Sequence, residues 1–212
     1  MPIPIKQAIK IGTYVMWQKL KGQERYPLVL MLEPLFRCNL ECIGCGKIQK
    51  PNEILNKNLT LDQCFSAANE CNAPVVSIAG GEPLMHPKIV EIVEGLIKQK
   101  RYIYLCTNAL LLKNFLGKLP ISPYLTLSIH LDGLEEDHDR IVDKKGVFKI
   151  AIESVREAKQ MGYRVTSATT FFEGTTVEQA ETFLDFLNPL GLDGVTLSSA
   201  FRYPDAPDQD HF

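Results

Sequence analysis

Residues 38–45 read Cys-Asn-Leu-Glu-Cys-Ile-Gly-Cys, and they place the thiols of Cys38, Cys42 and Cys45 at C-x3-C-x2-C spacing. Three thiolates on one tight loop can hold three irons of a 4Fe-4S cluster, whose full complement is four cysteines, so the fourth iron is left open. A structural zinc site needs four closed ligands, usually built as two pairs, and no second C-x2-C or H-x3-H pair follows in the sequence. The spacing therefore favours a cluster with an open iron over zinc, another metal or unliganded thiols.

The composition of the 212-residue chain is that of an ordinary globular protein, with 45% apolar and 23% charged residues. A formal net charge of -2 and a pI near 6.1 give no electrostatic drive toward nucleic acid. The sequence has no run of about 18 apolar residues and no secretory signal at its start. Because three of the six cysteines crowd on one loop, a reducing compartment fits better than a disulfide framework, and we expect a cytoplasmic protein.

From Pro27 onward, short apolar runs alternate with helical patterns, which predicts repeated βα units and a parallel sheet. Capping boxes formed by Thr60 with Gln63 and by Thr176 with Gln179 mark the starts of two helices. Further helices are predicted to begin at Pro87 and to span residues 147–160. The six predicted strands span residues 28–32, 75–79, 102–105, 124–129, 163–170 and 194–198.

The end of the sequence bears on domain organisation. The sixth strand is followed by a loop at 203–207 with no helix to cover it, although parallel strands are normally buried on both faces. We therefore expect C-terminal sequence to be missing, and we divide the chain into an N-terminal helix, residues 1–22, and a core domain, residues 23–212. Cys64 and Cys71 fall at helical spacing and are expected in the core.

The N-terminal segment, residues 3–21, places Ile5, Ile9, Met16 and Leu20 at helical spacing, with lysines largely elsewhere on the wheel. It is predicted to be a basic amphipathic helix. Two interpretations stay open: the apolar stripe packs on the domain, or the helix contacts a membrane interface with Trp17 near the boundary.

Polar residues recur where the predicted strands end. Gly80-Gly81-Glu82-Pro83 follows the second strand, Cys106-Thr107-Asn108 the third, and His130-Leu131-Asp132-Gly133 the fourth. The carboxyl ends of parallel strands meet on one face, so these groups are predicted to form one site with the cysteine loop. Gly80 and Gly81 allow close backbone approach to a ligand, and Glu82 supplies an anion for an ammonium group.

Two more polar features fit structural roles. His86 follows the Gly-Gly-Glu-Pro segment and is interpreted as a loop residue. Asp137, His138 and Asp139 have the composition of a metal cluster, but they are interpreted as a solvated polar run before Arg140.

The C-x3-C-x2-C motif after the first strand and Gly-Gly-Glu-Pro after the second resemble the radical S-adenosylmethionine superfamily. The resemblance implies a partial (β/α)6 barrel whose open iron binds the amino and carboxylate groups of S-adenosylmethionine. It implies that Cys38, Cys42 and Cys45 ligate the 4Fe-4S cluster and that Gly80, Gly81, Glu82 and Pro83 hold the methionine end. The residue before the third cysteine, commonly aromatic in the superfamily, is Gly44 here, so adenine packing must differ.

A closer resemblance covers nearly the whole chain. Segments 26–38, 104–109, 128–133 and 206–212 are similar to the HpnH family, the adenosyl-hopane-forming radical enzymes of hopanoid biosynthesis. The resemblance implies addition of the 5′-deoxyadenosyl radical to the terminal alkene of a hopene (diploptene). It also implies an external one-electron reductant such as flavodoxin or ferredoxin, and an apolar substrate that would give the N-terminal helix a peripheral contact with the inner membrane face.

This reaction would leave a tertiary carbon radical that needs a hydrogen atom, and a thiol is a suitable donor. We hypothesise that Cys106 is that donor, against the alternative of a buried small hydrophobe. Asn108 is interpreted as a ribose or adenine contact or a turn-forming residue. His130 is interpreted as a contact to the cofactor carboxylate or the substrate pocket, or as a structural histidine. A radical peptide-modifying or dehydrogenating enzyme of the same core, and a zinc-stabilised binding module, remain as alternative functions.

Overall fold

The computed structural model describes residues 3–201 and 205–206, and within them the strands form one sheet of six parallel strands in sequential order. The sheet curls into a half-barrel, so the predicted partial (β/α)6 barrel is confirmed. The predicted loop at 203–207 and the segment 206–212 fall largely outside the described residues. The strands are β1 Val29–Leu32, β2 Val75–Ile78, β3 Tyr102–Thr107, β4 Leu125–His130, β5 Arg164–Phe171 and β6 Gly194–Ser199.

Helices connect successive strands except β3 and β4, which are joined by a segment with a single 3-10 turn, and both predicted capping boxes are confirmed. The Thr60 hydroxyl accepts from the Gln63 amide at 3.2 Å while the Gln63 side chain accepts from the Thr60 amide at 2.9 Å, and Thr176 with Gln179 repeats this arrangement. The helix predicted to begin at Pro87 begins two residues later. The helices are α1 Ile5–Leu20, α2 Asn52–Leu55, α3 Leu61–Cys71, α4 Ile89–Lys98, α5 Glu135–Ile141, α6 Val147–Gln160 and α7 Val177–Leu187.

The two faces of the sheet differ in chemistry. Outward-facing strand side chains such as Leu105, Leu127 and Val165 are fully buried beneath the helices and form the main core. Cys64 belongs to this core, as predicted, whereas Cys71 is only partly buried. The inner face carries small polar groups instead, and these pair across neighbouring strands, Cys106 with Ser128 and Ser128 with Thr166. Polar side chains on the concave face leave room for a ligand inside the half-barrel.

Helix α1 lies at the amino-terminal end of the strands, but not in the orientation that packing of its apolar stripe would require. Its buried residue is Gln7, whose Nε2 donates to the Tyr104 hydroxyl at 3.2 Å, while Ile5, Ile9 and Leu20 are 77%, 60% and 79% exposed. The interpretation that the stripe packs on the domain is therefore wrong. None of the described helices is long and apolar enough to cross a bilayer.

Candidate functional site

The cysteine loop leaves the carboxyl end of β1 and has no regular secondary structure. Leu40 inside it is 4% exposed and packs with Val142 and Val147, so the loop is anchored beneath the start of α6. The Ile43 amide donates to the Ile141 carbonyl at 3.0 Å, which ties the loop to the end of α5 as well. The positions of the cysteines thus depend on tertiary packing and not only on the loop itself.

The three thiols of the loop line one cavity, and two of them resist ionisation. Burial raises the pKa of Cys38 to about 11, and burial together with the neighbouring charges of Cys38 and Cys45 raises the pKa of Cys42 to about 12. Thiolates in this setting need a cation to be stable, and metal coordination supplies it. In the described part of the chain, no three histidine, cysteine or carboxylate groups converge on a single metal ion. A 4Fe-4S cluster does not require such convergence, since each thiolate binds a different iron.

The Gly-Gly-Glu-Pro segment packs directly against the backbone that leads into the cysteine loop. The Gly81 amide donates to the Leu35 carbonyl at 3.1 Å, and the Glu82 amide donates to the Arg37 carbonyl at 3.0 Å. A Cβ on Gly81 would lie 2.1 Å from the Arg37 carbonyl oxygen, so only glycine allows this approach. The close backbone approach that was predicted for a ligand is therefore also made here by the segment that leads into the cysteine loop.

Glu82 is the most deeply buried carboxylate of the site, with 1% of the residue exposed. It accepts hydrogen bonds from the Leu84 amide at 2.9 Å, the Thr107 hydroxyl at 2.8 Å and the Asn108 amide at 2.9 Å. Burial raises the pKa of this carboxyl group, against the effect of those hydrogen bonds. The carboxylate thus fastens the loop after β2 to the end of β3. Pro83 is buried beside it and begins a single 3-10 turn.

Asn108 connects β3 to the cysteine loop. Its Nδ2 donates to the Asn39 side-chain oxygen at 2.7 Å and lies 3.7 Å from the Cys38 sulfur, while its own side-chain oxygen accepts from the Leu110 amide at 3.1 Å. The turn-forming interpretation of Asn108 fits these bonds, and its amide also borders the cavity. Contact with a ribose or adenine stays a prediction.

Cys106 lies on the inner face of β3, and its sulfur is 3.5 Å from the Ser77 hydroxyl on β2. Burial raises the pKa of the Cys106 thiol, while hydrogen bonds from Ser77 and Ser128 act in the opposite direction. The group is therefore a thiol and not a thiolate at neutral pH. The sequence pattern placed Cys106 after the strand, whereas the structure includes it within the strand, one position from its end.

His130 ends β4 and forms an ion pair with Asp132, a residue of the polar segment quoted after the fourth strand that was assigned no role of its own from the sequence. Burial disfavours the imidazolium, but the Asp132 carboxylate outweighs this and the pKa of His130 is raised. Asp132 is held in place because its other oxygen accepts from the Thr170 amide at 2.8 Å and its own amide donates to Nδ1 of His138 at 3.2 Å.

The polar run from Asp137 to Asp139 is solvated only at Asp137, which corrects the interpretation of the whole run as a solvated segment. His138 is fully buried within the short helix α5, and Asp139 accepts from the Phe148 amide at 2.8 Å and from the Gly146 amide, capping α6. His86 is likewise buried, with Nε2 2.9 Å from the Leu59 carbonyl and Nδ1 accepting from the Lys88 amide. Both histidines have structural partners.

These groups meet around one cavity of about 350 Å³ at the carboxyl ends of the strands. Lys47, which the sequence did not single out, borders it and pairs with Glu33 at the end of β1. The predicted site residues that line the cavity are Cys38, Cys42, Cys45, Gly80, Gly81, Glu82, Cys106, Asn108 and His130. Of the predicted site residues, Pro83 is the one that does not line the cavity in the described part of the chain. It is buried behind the residues that do.

Comparison with known families gives a match over most of the chain. Residues 32–187 match the model described as the Radical SAM superfamily. A GTP 3′,8-cyclase from Petrotoga mobilis is 28% identical over 156 residues, which cover 70% of this chain and 48% of that protein. A GTP 3′,8-cyclase from Listeria welshimeri is 29% identical over 160 residues, covering 71% of this chain and 47% of that protein. The chain therefore spans about half the length of the curated relatives it matches.

Solved structures share the fold at low sequence identity. Streptococcus suis SuiB bound to S-adenosylmethionine superposes with a TM-score of 0.76 at 19% identity, covering 94% of this chain and 47% of that chain. Methylornithine synthase (PylB) gives a TM-score of 0.66 at 16% identity, covering 100% of this chain and 66% of that chain. At this identity the likeness supports the half-barrel and nothing about substrate.

Proposed function

Because the chain belongs to the radical S-adenosylmethionine superfamily, whose enzymes use a 4Fe-4S cluster, S-adenosylmethionine and an electron donor, we propose that it forms a carbon-carbon bond between the 5′-deoxyadenosyl group and a hopene. The substrate would be a pentacyclic triterpene with a terminal alkene, such as diploptene. The proposal rests on the similarity of segments 26–38, 104–109 and 128–133 to the HpnH family. The single observation that carries it beyond similarity is a fourth thiol, that of Cys106, on the wall of the cavity.

Cys38, Cys42 and Cys45 would hold the cluster, and Gly80 to Pro83 would hold the methionine end of S-adenosylmethionine. When bound, the reduced cluster supplies the electron that cleaves S-adenosylmethionine to methionine and the 5′-deoxyadenosyl radical. Asn108 would contact the ribose or adenine from the β3 end. His130, whose pKa is raised by the neighbouring Asp132 carboxylate, is suited to the methionine carboxylate because a charged donor binds that group more strongly than a neutral one.

Cys106 would complete the reaction by donating a hydrogen atom. Addition of the adenosyl radical to the alkene forms one carbon-carbon bond and leaves a tertiary carbon radical on the triterpene. The Cys106 S–H bond then breaks, its hydrogen atom moves to that carbon, and a thiyl radical remains. One electron from an external reductant such as flavodoxin or ferredoxin, with one proton, restores the thiol. The raised pKa of Cys106 supports this role, because only the protonated thiol carries the hydrogen atom.

The charges around the cavity favour an apolar substrate over a nucleotide. Among the described lining residues Lys47 is the sole lysine or arginine, and it already pairs with Glu33. A triphosphate such as that of GTP would need several cationic or bidentate partners, since phosphate recognition depends on arginine and lysine contacts. A hydrocarbon ring system needs none. This distinguishes the proposal from the reaction that the names of the curated relatives state. A zinc-stabilised binding module is not supported by the family match.

The product assay tests the proposal directly. The full-length protein is reconstituted anaerobically with iron and sulfide, reduced, and incubated with S-adenosylmethionine and either detergent-solubilised diploptene or GTP. We expect an adduct whose mass is that of adenosyl-hopane with diploptene, and no consumption of GTP. Cleavage of S-adenosylmethionine without an adduct, or turnover of GTP, would refute the substrate while leaving the superfamily chemistry intact.

A Cys106→Ala variant tests the hydrogen donor. We expect loss of clean adenosyl-hopane in favour of rearranged or cyclised adducts, because the carbon radical persists without its donor. Cys64→Ala is the control, since it removes a thiol that is fully buried in the main core, away from the cavity. If Cys106→Ala forms the normal product at the normal rate, Cys106 is not the hydrogen donor.

A further inference from the structure

Helix α1 is held on the domain by its polar side. Gln7 is 3% exposed and bonds to the Tyr104 hydroxyl, and Tyr14 meets the ring of Tyr26 edge-on with 5.9 Å between centroids. Lys10 reaches the Lys100 carbonyl and lies over the Tyr102 ring at 5.7 Å. The docked side therefore combines the amide of Gln7 and the ammonium group of Lys10 with the ring of Tyr14 and partly buried Ile11, whereas in the usual arrangement the apolar stripe faces the core.

The opposite side of the helix is an apolar stripe, formed by Ile5, Ile9, Met16 and Leu20. These residues fall at intervals of four, seven and four positions, so they share one face over the full length of the helix. They are 77%, 60%, 65% and 79% exposed, and Trp17 on the flank is 58% exposed. Gly12 and Thr13 separate the Ile5–Ile9 pair from the Met16–Leu20 pair, and monomeric proteins rarely leave this many large apolar side chains uncovered on one face.

The charge of the helix differs from that of the rest of the chain. Lys6, Lys10, Lys19 and Lys21 precede Glu24, the first acidic residue in the sequence, whereas the whole chain has a net charge of -2. An apolar stripe flanked by lysines and a tryptophan is complementary to the headgroup boundary of an anionic bilayer. A second copy of the chain is a poorer occupant, because pairing the same faces about a two-fold axis would bring two sets of lysines together.

We propose that the apolar stripe of α1 binds the surface of an anionic lipid bilayer, with the helix lying in the plane of the interface. Lys10 meets the domain at Lys100 and Tyr102, where β3 begins, while Cys106 and Asn108 lie where β3 ends. The bilayer would therefore contact the end of the sheet opposite the cysteine loop. The inference depends on the surface of α1 and not on the substrate proposed above.

Vesicle flotation of the reconstituted, full-length protein tests this inference. The vesicles contain phosphatidylcholine alone or phosphatidylcholine with phosphatidylglycerol, and no triterpene, so the result is independent of the substrate assay. We expect binding to the anionic vesicles, weakened about tenfold or more in Ile9→Gln/Met16→Gln because two apolar side chains are lost from the interface. Lys6→Gln and Lys19→Gln should each weaken binding about fivefold, and salt should weaken it further.

The matched control is Ile121→Gln/Val177→Gln, which removes aliphatic groups that are 57% and 68% exposed on other surfaces. It should float like the unmodified protein. Three outcomes would overturn the inference: no binding by the unmodified protein, equal binding by Ile9→Gln/Met16→Gln, or binding that does not depend on phosphatidylglycerol. Light scattering that shows a dimer broken by Ile9→Gln/Met16→Gln would assign the stripe to a second copy instead. Adduct formation from detergent-solubilised diploptene by the same variant would show separately whether the proposed reaction stands.

Discussion

Substitution of Gly81 by alanine tests whether the Gly-Gly-Glu-Pro segment positions the cysteine loop. Gly81 has no positive φ angle, so alanine can adopt its backbone conformation and the effect is purely steric. The new Cβ would lie 2.1 Å from the Arg37 carbonyl oxygen and 2.4 Å from that of Phe36, and both obstacles are backbone atoms that no rotamer change can move. The two segments must separate by about 1 Å to restore an ordinary contact.

That separation strains two backbone hydrogen bonds, from Gly81 to Leu35 and from Glu82 to Arg37. Each contributes about 1 kcal/mol, and overpacking adds about 1 to 3 kcal/mol, so we expect Gly81→Ala to lower the free energy of unfolding by about 3 to 5 kcal/mol. The cysteine loop would move with residues 36–37, so the iron bound after reconstitution should fall as well.

Urea denaturation and iron analysis measure the two effects. Gly12→Ala in α1 is the matched control: nothing lies within 4 Å of its new Cβ, and alanine should leave stability unchanged or raise it by about 0.5 to 1 kcal/mol. If Gly81→Ala unfolds within about 0.5 kcal/mol of the unmodified protein and binds the same amount of iron, the two loops are not mechanically joined and the reasoning fails.

Two further predictions concern α5. Burial, reinforced by neighbouring His130, lowers the pKa of His138 to about 4 from an ordinary value of 6.5, so the unfolded chain binds the proton more readily. The free energy of unfolding should therefore fall by about 3 kcal/mol as the pH drops from 6.5 to 4, and His138→Leu should flatten this part of the curve in pH-dependent urea denaturation. Asp139→Ala should cost about 1 to 2 kcal/mol by uncapping α6, against less than about 0.5 kcal/mol for Asp137→Ala, whose carboxylate forms an exposed pair with Arg140; equal urea midpoints would refute the capping role.

The parts of the site that could be predicted are those that depend on the spacing of residues along the sequence. The interval between Cys38 and Cys45 is a property of the sequence, and the ends of β2, β3 and β4 follow from apolar runs that stop at polar residues. Parallel strands then bring those ends together, which is why nearly all of the predicted residues border one cavity.

The parts that could not be predicted depend on which side of an element is covered. Asp137, His138 and Asp139 have the composition of a surface run, and only the packing of Phe148 and His130 against His138 shows that the middle residue is buried. Asp132 lies two positions beyond His130, and that spacing could have indicated a shared orientation at a strand end. For α1, periodicity identifies an apolar stripe but not the face that docks, because Gln7 and its partner Tyr104 are 97 residues apart.

The buried carboxylate of Glu82 explains why the loops of the site can be treated as one unit. It joins the segment after β2 to Thr107 and Asn108 at the end of β3, and Asn108 in turn holds Asn39 within the cysteine loop. A carboxylate with 1% exposure is costly to bury, and its three hydrogen bonds offset that cost only while all three donors stay in place. Any displacement of one loop therefore leaves a buried oxygen of Glu82 without one of its donors. This coupling makes the position of Cys38 relative to Cys106 a property of the protein fold, so the thiols of the loop and the thiol on β3 face the same cavity before any cofactor binds.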